Sequence, residues 1–152
     1  SQDQAAPPGP TLPWPRAAAS MAVFKGREVL LVERGKGARR GVWSLPGGHI
    51  EPGETARAAA ERELAEETAV TAEVVGLVDV HDVIIRDRSG ALRAHYVLSV
   101  YCGRWIAGEP TAGSDSAAAR FVALAALDQL TLTDGAERLI LAAATRCGVA
   151  VP

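Results

Sequence analysis

The chain has 152 residues, 16 basic and 18 acidic side chains, and a formal net charge of −2. That length fits one domain, and 48% hydrophobic against 22% charged residues is a globular mixture, not a disordered one. No apolar run approaches the ~20 residues of a membrane-spanning helix, and the near-neutral balance argues against a nucleic-acid binder, so neither partner is expected.

Residues 1–16 form a proline-rich arm holding five of the nine prolines (Pro7, Pro8, Pro10, Pro13 and Pro15). Proline fixes φ and removes a donor, so the arm reads as extended chain, with Leu12 and Trp14 expected to pack on the body or on a second subunit. The arm lacks the charged start and long apolar stretch of a signal peptide. Residues 17–152 read as a single domain. Ala18–Phe24 and Val29–Glu33 are two strand-like runs whose spacing predicts a hairpin. Residues 35–42 are basic and glycine-containing and read as a loop. Trp43-Ser44-Leu45 is a short extended piece that Pro46-Gly47-Gly48 breaks. Thr55–Thr68 is the best helix in the chain, rich in alanine and free of Gly and Pro. Val70–Arg86 reads as strand with an interruption, Asp87-Arg88-Ser89-Gly90 as a turn, and Arg93–Trp105 as an alternating strand. Gly108–Ser116 is a loop, Arg120-Phe121-Val122 a short strand, Leu124–Leu130 a short helix, and Asp134–Arg146 an amphipathic helix. Interleaved strands and helices imply an α/β fold with helices packed on a mixed sheet.

One segment breaks the expected pattern. Residues 51–67 hold six of the 18 acids: Glu51, Glu54, Glu61, Glu63, Glu66 and Glu67. At about 100° per residue, Glu63, Glu66 and Glu67 fall in one arc that continues backward into Ala59, Ala60 and Ala56. Those alanines suit close packing, so the carboxylates extend a stripe that ought to face the protein. Like charges three and four residues apart repel, and the helix dipole disfavours anions near its C-terminal end. Arg62 can pair with Glu66, but one cation does not neutralise the cluster. Carboxylates at this spacing are hard oxygen ligands suited to Mg²⁺ or Mn²⁺. Gly47 and Gly48, just upstream, would let backbone donors approach phosphates beside such a metal.

Residues 48–70 run Gly48, five residues, Glu54, seven residues, Arg62-Glu63-Leu64-Ala65-Glu66-Glu67-Thr68-Ala69-Val70. This resembles the Nudix box, GX5EX7REUXEEXGU with U aliphatic, at every defined position except the last glycine, here Ala69. If the family glycine ends the helix in a left-handed conformation, alanine costs about 1 kcal/mol there or the turn changes. The resemblance extends over roughly residues 17–146 and implies the family's α/β/α sandwich around a mixed β-sheet. It implies a Mg²⁺- or Mn²⁺-dependent hydrolase that cleaves a phosphoanhydride in a nucleoside diphosphate linked to another moiety. Glu63, Glu66 and Glu67 would be metal ligands, one of them helping to deprotonate water, and Arg62 would orient a glutamate together with Glu54. Many members add a loop acid before a late strand; Asp115 is the first candidate and Glu109 the second.

Specificity lies outside the box. Trp43 and Tyr96 are candidates for stacking a base, and Arg39 and Arg40 for reaching phosphates. Asp79-Val80-His81-Asp82 and His95-Tyr96 are candidate pocket walls. His49, His81 and His95 are scattered and read as structural or substrate-facing. The strand layout resembles members acting on ADP-ribose-like compounds. The alternatives are a house-cleaning hydrolase of oxidised or non-standard nucleoside triphosphates, and a nucleotide-binding module of the same fold without activity. The expected partner is a small-molecule nucleotide, with a homodimer left open. Cys102 and Cys147, with 44 residues between them, form no CxxC pair, which leaves one disulfide or two free thiols. They read as two buried free thiols and a cytoplasmic location.

Overall fold

The computed structural model describes residues 14–35, 37 and 40–152. Among these residues, seven strands, two helices and one 3₁₀ turn appear in the order β1 (Arg16–Lys25), β2 (Glu28–Arg34), β3 (Trp43–Ser44), β4 (Gly47–His49), α1 (Ala56–Thr68), β5 (Thr71–Arg86), β6 (Leu92–Ala107), β7 (Ser116–Ala123), the 3₁₀ turn Leu124–Gln129 and α2 (Ala136–Arg146). The sheet is mixed. Its main path is β3-β2-β1-β6-β5, with β4 on β1 and β7 on β2. β1 and β6 are parallel, and the other pairs are antiparallel.

The predicted hairpin forms, with a turn narrowed to Gly26-Arg27 and Gly26 at φ +61°. A two-residue turn with a positive φ matches the twist of the strands it joins. The pairing is short, only Phe24–Val29 and Lys25–Glu28. Beyond it β1 takes β4 as neighbour while β2 takes β3, so the two strands splay, and β7 lines the other edge of β2 along its whole length.

The central strand is buried almost throughout, from Ala18 to Phe24, as expected of a strand covered on both faces. Its alternation divides the core in two. Ala19, Met21 and Val23 pack with Leu30, Val70 and the Ala59, Ala60 and Leu64 stripe of α1. Ala22 and Phe24 pack with Val29, Leu31, Trp43 and α2 residues Ile140, Ala143 and Ala144. Two helices on opposite faces of one sheet make the expected α/β/α sandwich.

Several details differ from the sequence reading. Gly47-Gly48 does not break the chain; with His49 it forms β4, pairing Ser20 with Gly47, Ala19 with Gly48 and Ala18 with His49. β5 is a single strand of 16 residues whose interruptions are register shifts, including those between Val74 and Gly76 and between Leu77 and Asp79. Trp14 is 76% exposed, so within one chain it does not pack on the body; Leu12 lies outside the described residues. Cys102 and Cys147 are both buried free thiols. Among the described residues no helix is long and apolar enough to cross a membrane.

Candidate active site

Helix α1 is started and stopped by its own side chains. Thr55 caps it, its Oγ1 accepting the Ala58 N–H at 3.0 Å. Ala69 ends it at φ +63°, the one non-glycine positive φ among the described residues, with its N–H on the Ala65 carbonyl at 3.0 Å. The left-handed turn therefore forms without glycine. Buried Thr68 braces it, donating to the Leu64 carbonyl at 2.6 Å and accepting the Val70 N–H at 3.2 Å.

The inward stripe of α1 runs from Ala59, Ala60 and Leu64, all buried, to Glu63 and Glu67, both half-buried, with Glu66 exposed. Strand β4 closes against this end. A Cβ on Gly48 would fall 2.5 Å from the Glu63 carboxyl carbon, and one on Gly47 2.5 Å from the Ala19 carbonyl oxygen. Neither glycine has positive φ; close approach is what requires them. The Gly47 N–H donates to Glu67 Oε1 at 2.8 Å. The expected donor-rich loop is thus an ordered strand, and the Gly47 amide is already committed to a carboxylate.

Arg62 binds the cluster together. Its Nε and Nη2 donate to Glu54 at 2.8 and 3.0 Å, its Nη1 to Glu63 at 3.0 Å and Glu66 at 3.2 Å, and its Nη2 also to the His49 carbonyl at 3.0 Å. The two-pronged contact is the strong form of the guanidinium–carboxylate bond. It holds the Glu54 carboxyl below the usual carboxylate range, helped by the Glu51 N–H, and the same partners raise Arg62.

The 108–115 loop lies across the end of α1. The Thr111 N–H donates to the Thr68 carbonyl at 2.9 Å and the Gly113 N–H to the Glu67 carbonyl at 3.0 Å, satisfying carbonyls that a helix end leaves open. A Cβ on Gly113 would fall 2.8 Å from the Glu66 carbonyl oxygen. This docking completes a cleft of about 110 Å³ lined by Glu63, Glu66, Glu67, Gly113, Ser114, Asp115 and Ser116. Asp115 enters the cleft and Glu109 does not. Burial, followed by the charges of Glu63 and Asp115, pushes the Glu67 carboxyl up to about 7 against the opposing pull of the Gly47 N–H and Arg34. Arg34 has no local sequence signal. Its charge acts on Glu67, and the pairing of β2 with β7 sets it beside the cleft residue Ser116.

Among the described residues no three His, Cys, Asp or Glu side chains stand close enough to chelate an ion as they are turned here. Glu67 faces the Gly47 amide, and Glu63 and Glu66 face Arg62. The donor set is nonetheless all carboxylate oxygen, and Glu67 is raised first by burial and then by the neighbouring carboxylates Glu63 and Asp115. That chemistry fits a hard divalent cation.

The remaining candidates scatter. Tyr96 stacks on His49 at 5.4 Å and 21°, beside β4. Trp43 is not a stacking surface for a base: it is 7% exposed within the core, with the Arg120 guanidinium 4.8 Å from its ring centroid. Arg39 lies outside the described residues. Arg40 is exposed, and its backbone N–H closes a turn onto the Gly37 carbonyl. Asp79 and His81 meet Arg138 of α2 at 3.2 and 3.3 Å, beside an open cleft of about 560 Å³ that includes Leu130, Leu132, Asp134 and Arg138.

A family model described as NUDIX domain matches residues 14–143. The chain is 34% identical over 116 residues to the ADP-ribose pyrophosphatase of Methanocaldococcus jannaschii, covering 76% of this chain and 66% of that protein. It is 40% identical over 95 residues to a putative 8-oxo-dGTP diphosphatase 2 of Mycobacterium tuberculosis, covering 60% and 62%. The chain thus spans about two thirds or less of the length of these curated relatives. Among solved structures, the MutT NUDIX hydrolase from Burkholderia pseudomallei superposes with a TM-score of 0.72 at 29% identity, covering 84% of this chain and 97% of that one.

Proposed function

The chain belongs to the Nudix family, and on that premise we propose that it hydrolyses a phosphoanhydride bond in a nucleoside diphosphate linked to another moiety, with an ADP-ribose-like compound as substrate. The observation that carries the reading is the cleft at the end of α1, where Glu63, Glu66, Glu67 and Asp115 line one small space.

Glu63, Glu66 and Glu67 would hold Mg²⁺ or Mn²⁺, with Asp115 adding a ligand from the docked loop. When bound, the cation supplies electrophilic stabilisation of phosphate oxygens and a lowered pKa for water. The chain's own residues do the rest. Arg62 and Glu54 fix the orientation of Glu63. The Gly47 amide fixes Glu67. Water adds to one phosphorus as the bridging P–O bond breaks, releasing two phosphate monoesters. Tyr96 on His49 offers a ring beside β4 for the nucleoside end. The two buried free thiols suit the reducing cytoplasm.

The second reading is hydrolysis of an oxidised nucleoside triphosphate, supported by the name of the mycobacterial relative. Product analysis separates the two. Full-length protein with Mg²⁺ is expected to turn ADP-ribose into AMP and ribose 5-phosphate faster than it turns 8-oxo-dGTP into monophosphate and pyrophosphate, and EDTA should stop both. No turnover of either with Mg²⁺ or Mn²⁺ would leave a binding module in place of an enzyme.

A further inference from the structure

The hairpin of β5 and β6 outruns the core. None of residues 79–99 is buried. Five of the eight large apolar side chains exposed among the described residues lie on it or at its base: Leu77, Val80, Ile84, Ile85 and Val97, each 36–51% exposed. A two-stranded ribbon is marginal in water by itself. β5 is also a sheet edge, paired among the described residues only with β6. Exposed edges are normally blunted by lysine, proline or bulges. Here three of the four register shifts crowd the first half of β5, and the fourth, between Ile85 and Arg86, places its extra residue, Arg93, on β6; Asp79 to Ile85 runs opposite Val100 to Ala94 without a shift and contains neither lysine nor proline.

We propose that this edge joins two copies of the chain, β5 pairing antiparallel with β5 of a second copy about a two-fold axis at Ile84. The choice of register follows from the side chains. Successive residues alternate between faces, so residues opposite each other across the axis must share a face, and the axis must pass through a residue position. An axis at Asp82 sets that carboxylate against its own copy. An axis at Val83 sets Arg86 against Val80, and one at His81 sets Asp82 against Val80. An axis at Ile84 sets Asp82 against Arg86 twice, Ile84 against Ile84 and Val83 against Ile85. Opposite charges and branched apolar pairs directly across an antiparallel ladder stabilise it, and like charges oppose it. Val97 lies opposite Asp82 on β6 and so shares its face. Together with Val80 and Ile84 it makes one apolar strip that the second copy continues. This self-complementarity of charge and shape is what selects a second copy as occupant.

Sedimentation of the full chain at tens of micromolar should give twice the chain mass. Ile84→Lys, which sets two ammonium groups face to face, and Asp82→Arg, which sets guanidinium against guanidinium, should each give the monomer. Combining Asp82→Arg with Arg86→Asp should restore the dimer. Because that combination keeps the parent's charge composition, it reports the register even if Ile84→Lys fails to fold. Ile84→Cys should cross-link to its own copy on mild oxidation. The inference fails if the parent is monomeric, if the dimer survives Ile84→Lys, or if the charge swap restores nothing. It also fails if the dimer is lost only on deletion of residues 1–13, which would assign the interface to the arm.

Discussion

The two helices cover opposite faces of the same sheet by different means. α2 buries Ala136, Leu139, Ile140, Ala143 and Ala144, and its acidic and basic residues stay at its ends and outer side. α1 is two residues longer yet buries only Ala59, Ala60, Leu64 and Thr68. The rest of its inward stripe is Glu63 and Glu67, where packing logic would put leucine. One helix therefore gives its inward face to apolar packing. The other gives up apolar contact at its C-terminal end to bring carboxylates under β4 and the 108–115 loop. The supports around it, Thr55, Thr68, Arg62 and the Gly47 amide, offset what that choice costs.

The sharpest test of this contrast is a pair of substitutions. Glu67→Gln keeps the shape but removes a charge, and should lower turnover of the preferred nucleotide about 100- to 1,000-fold. Ile140→Ala in α2 should leave kcat/KM of the folded enzyme within a few-fold while costing about 3 kcal/mol in denaturant unfolding. Full activity in Glu67→Gln would remove the distinction between the helices. Arg57→Gln, on the exposed side of α1, is the control and should leave turnover within a few-fold.

A smaller effect concerns pH in excess chelator. The folded-state pKa of Glu67 is raised from 4.5 to about 7, so the native chain holds this proton more tightly than the unfolded chain. The resulting stability is fully present below about 4.5 and is lost as pH rises through about 7. Unfolding free energy of the parent should fall across that window by about 1–3 kcal/mol, and Glu67→Gln should lack this component. Added Mg²⁺ should stabilise the parent above pH 7 more than the variant, because a ligand that binds only the native state raises its stability with occupancy. A flat parent profile would mean that Glu67 is neither desolvated nor crowded by charge.

The smallest expected effect sits at the end of α1. Ala69 holds φ +63°, so Ala69→Gly should raise the melting temperature, corresponding to about 0.5–1 kcal/mol, and leave turnover unchanged. A loss of stability would show that the Thr68 bracing, not backbone strain, dominates this turn. α2 offers no equivalent gain, since the left-handed residues at its two ends, Gly135 and Gly148, are already glycine.

Residues close in sequence made much of this legible in advance. The alanine-rich run, the Thr55 cap and the spacing of Glu63, Glu66 and Glu67 act within a few turns of one helix, so α1 and its carboxylate stripe could be read directly. The same holds for the turn at Gly26, whereas the left-handed end at Ala69 was open between a strained alanine and a changed turn until the structure decided it. What the tertiary structure alone decided joins residues far apart. Gly47-Gly48 reads locally as a turn, and only the β1 edge and the Glu63 carboxyl behind it make those glycines a strand. Trp43 carries the same aromatic signal whether it faces a ligand or the core, and the packing of α2 and the β7 neighbour Arg120 decided for the core. Asp115 reaches the cleft through the Thr111 and Gly113 amides, and Arg34 is set beside the cleft residue Ser116 by the register of β2 and β7. Helical period and capping are short-range and recorded in neighbouring letters. Strand register and loop docking are sums over distant contacts, and no local stretch of sequence contains them.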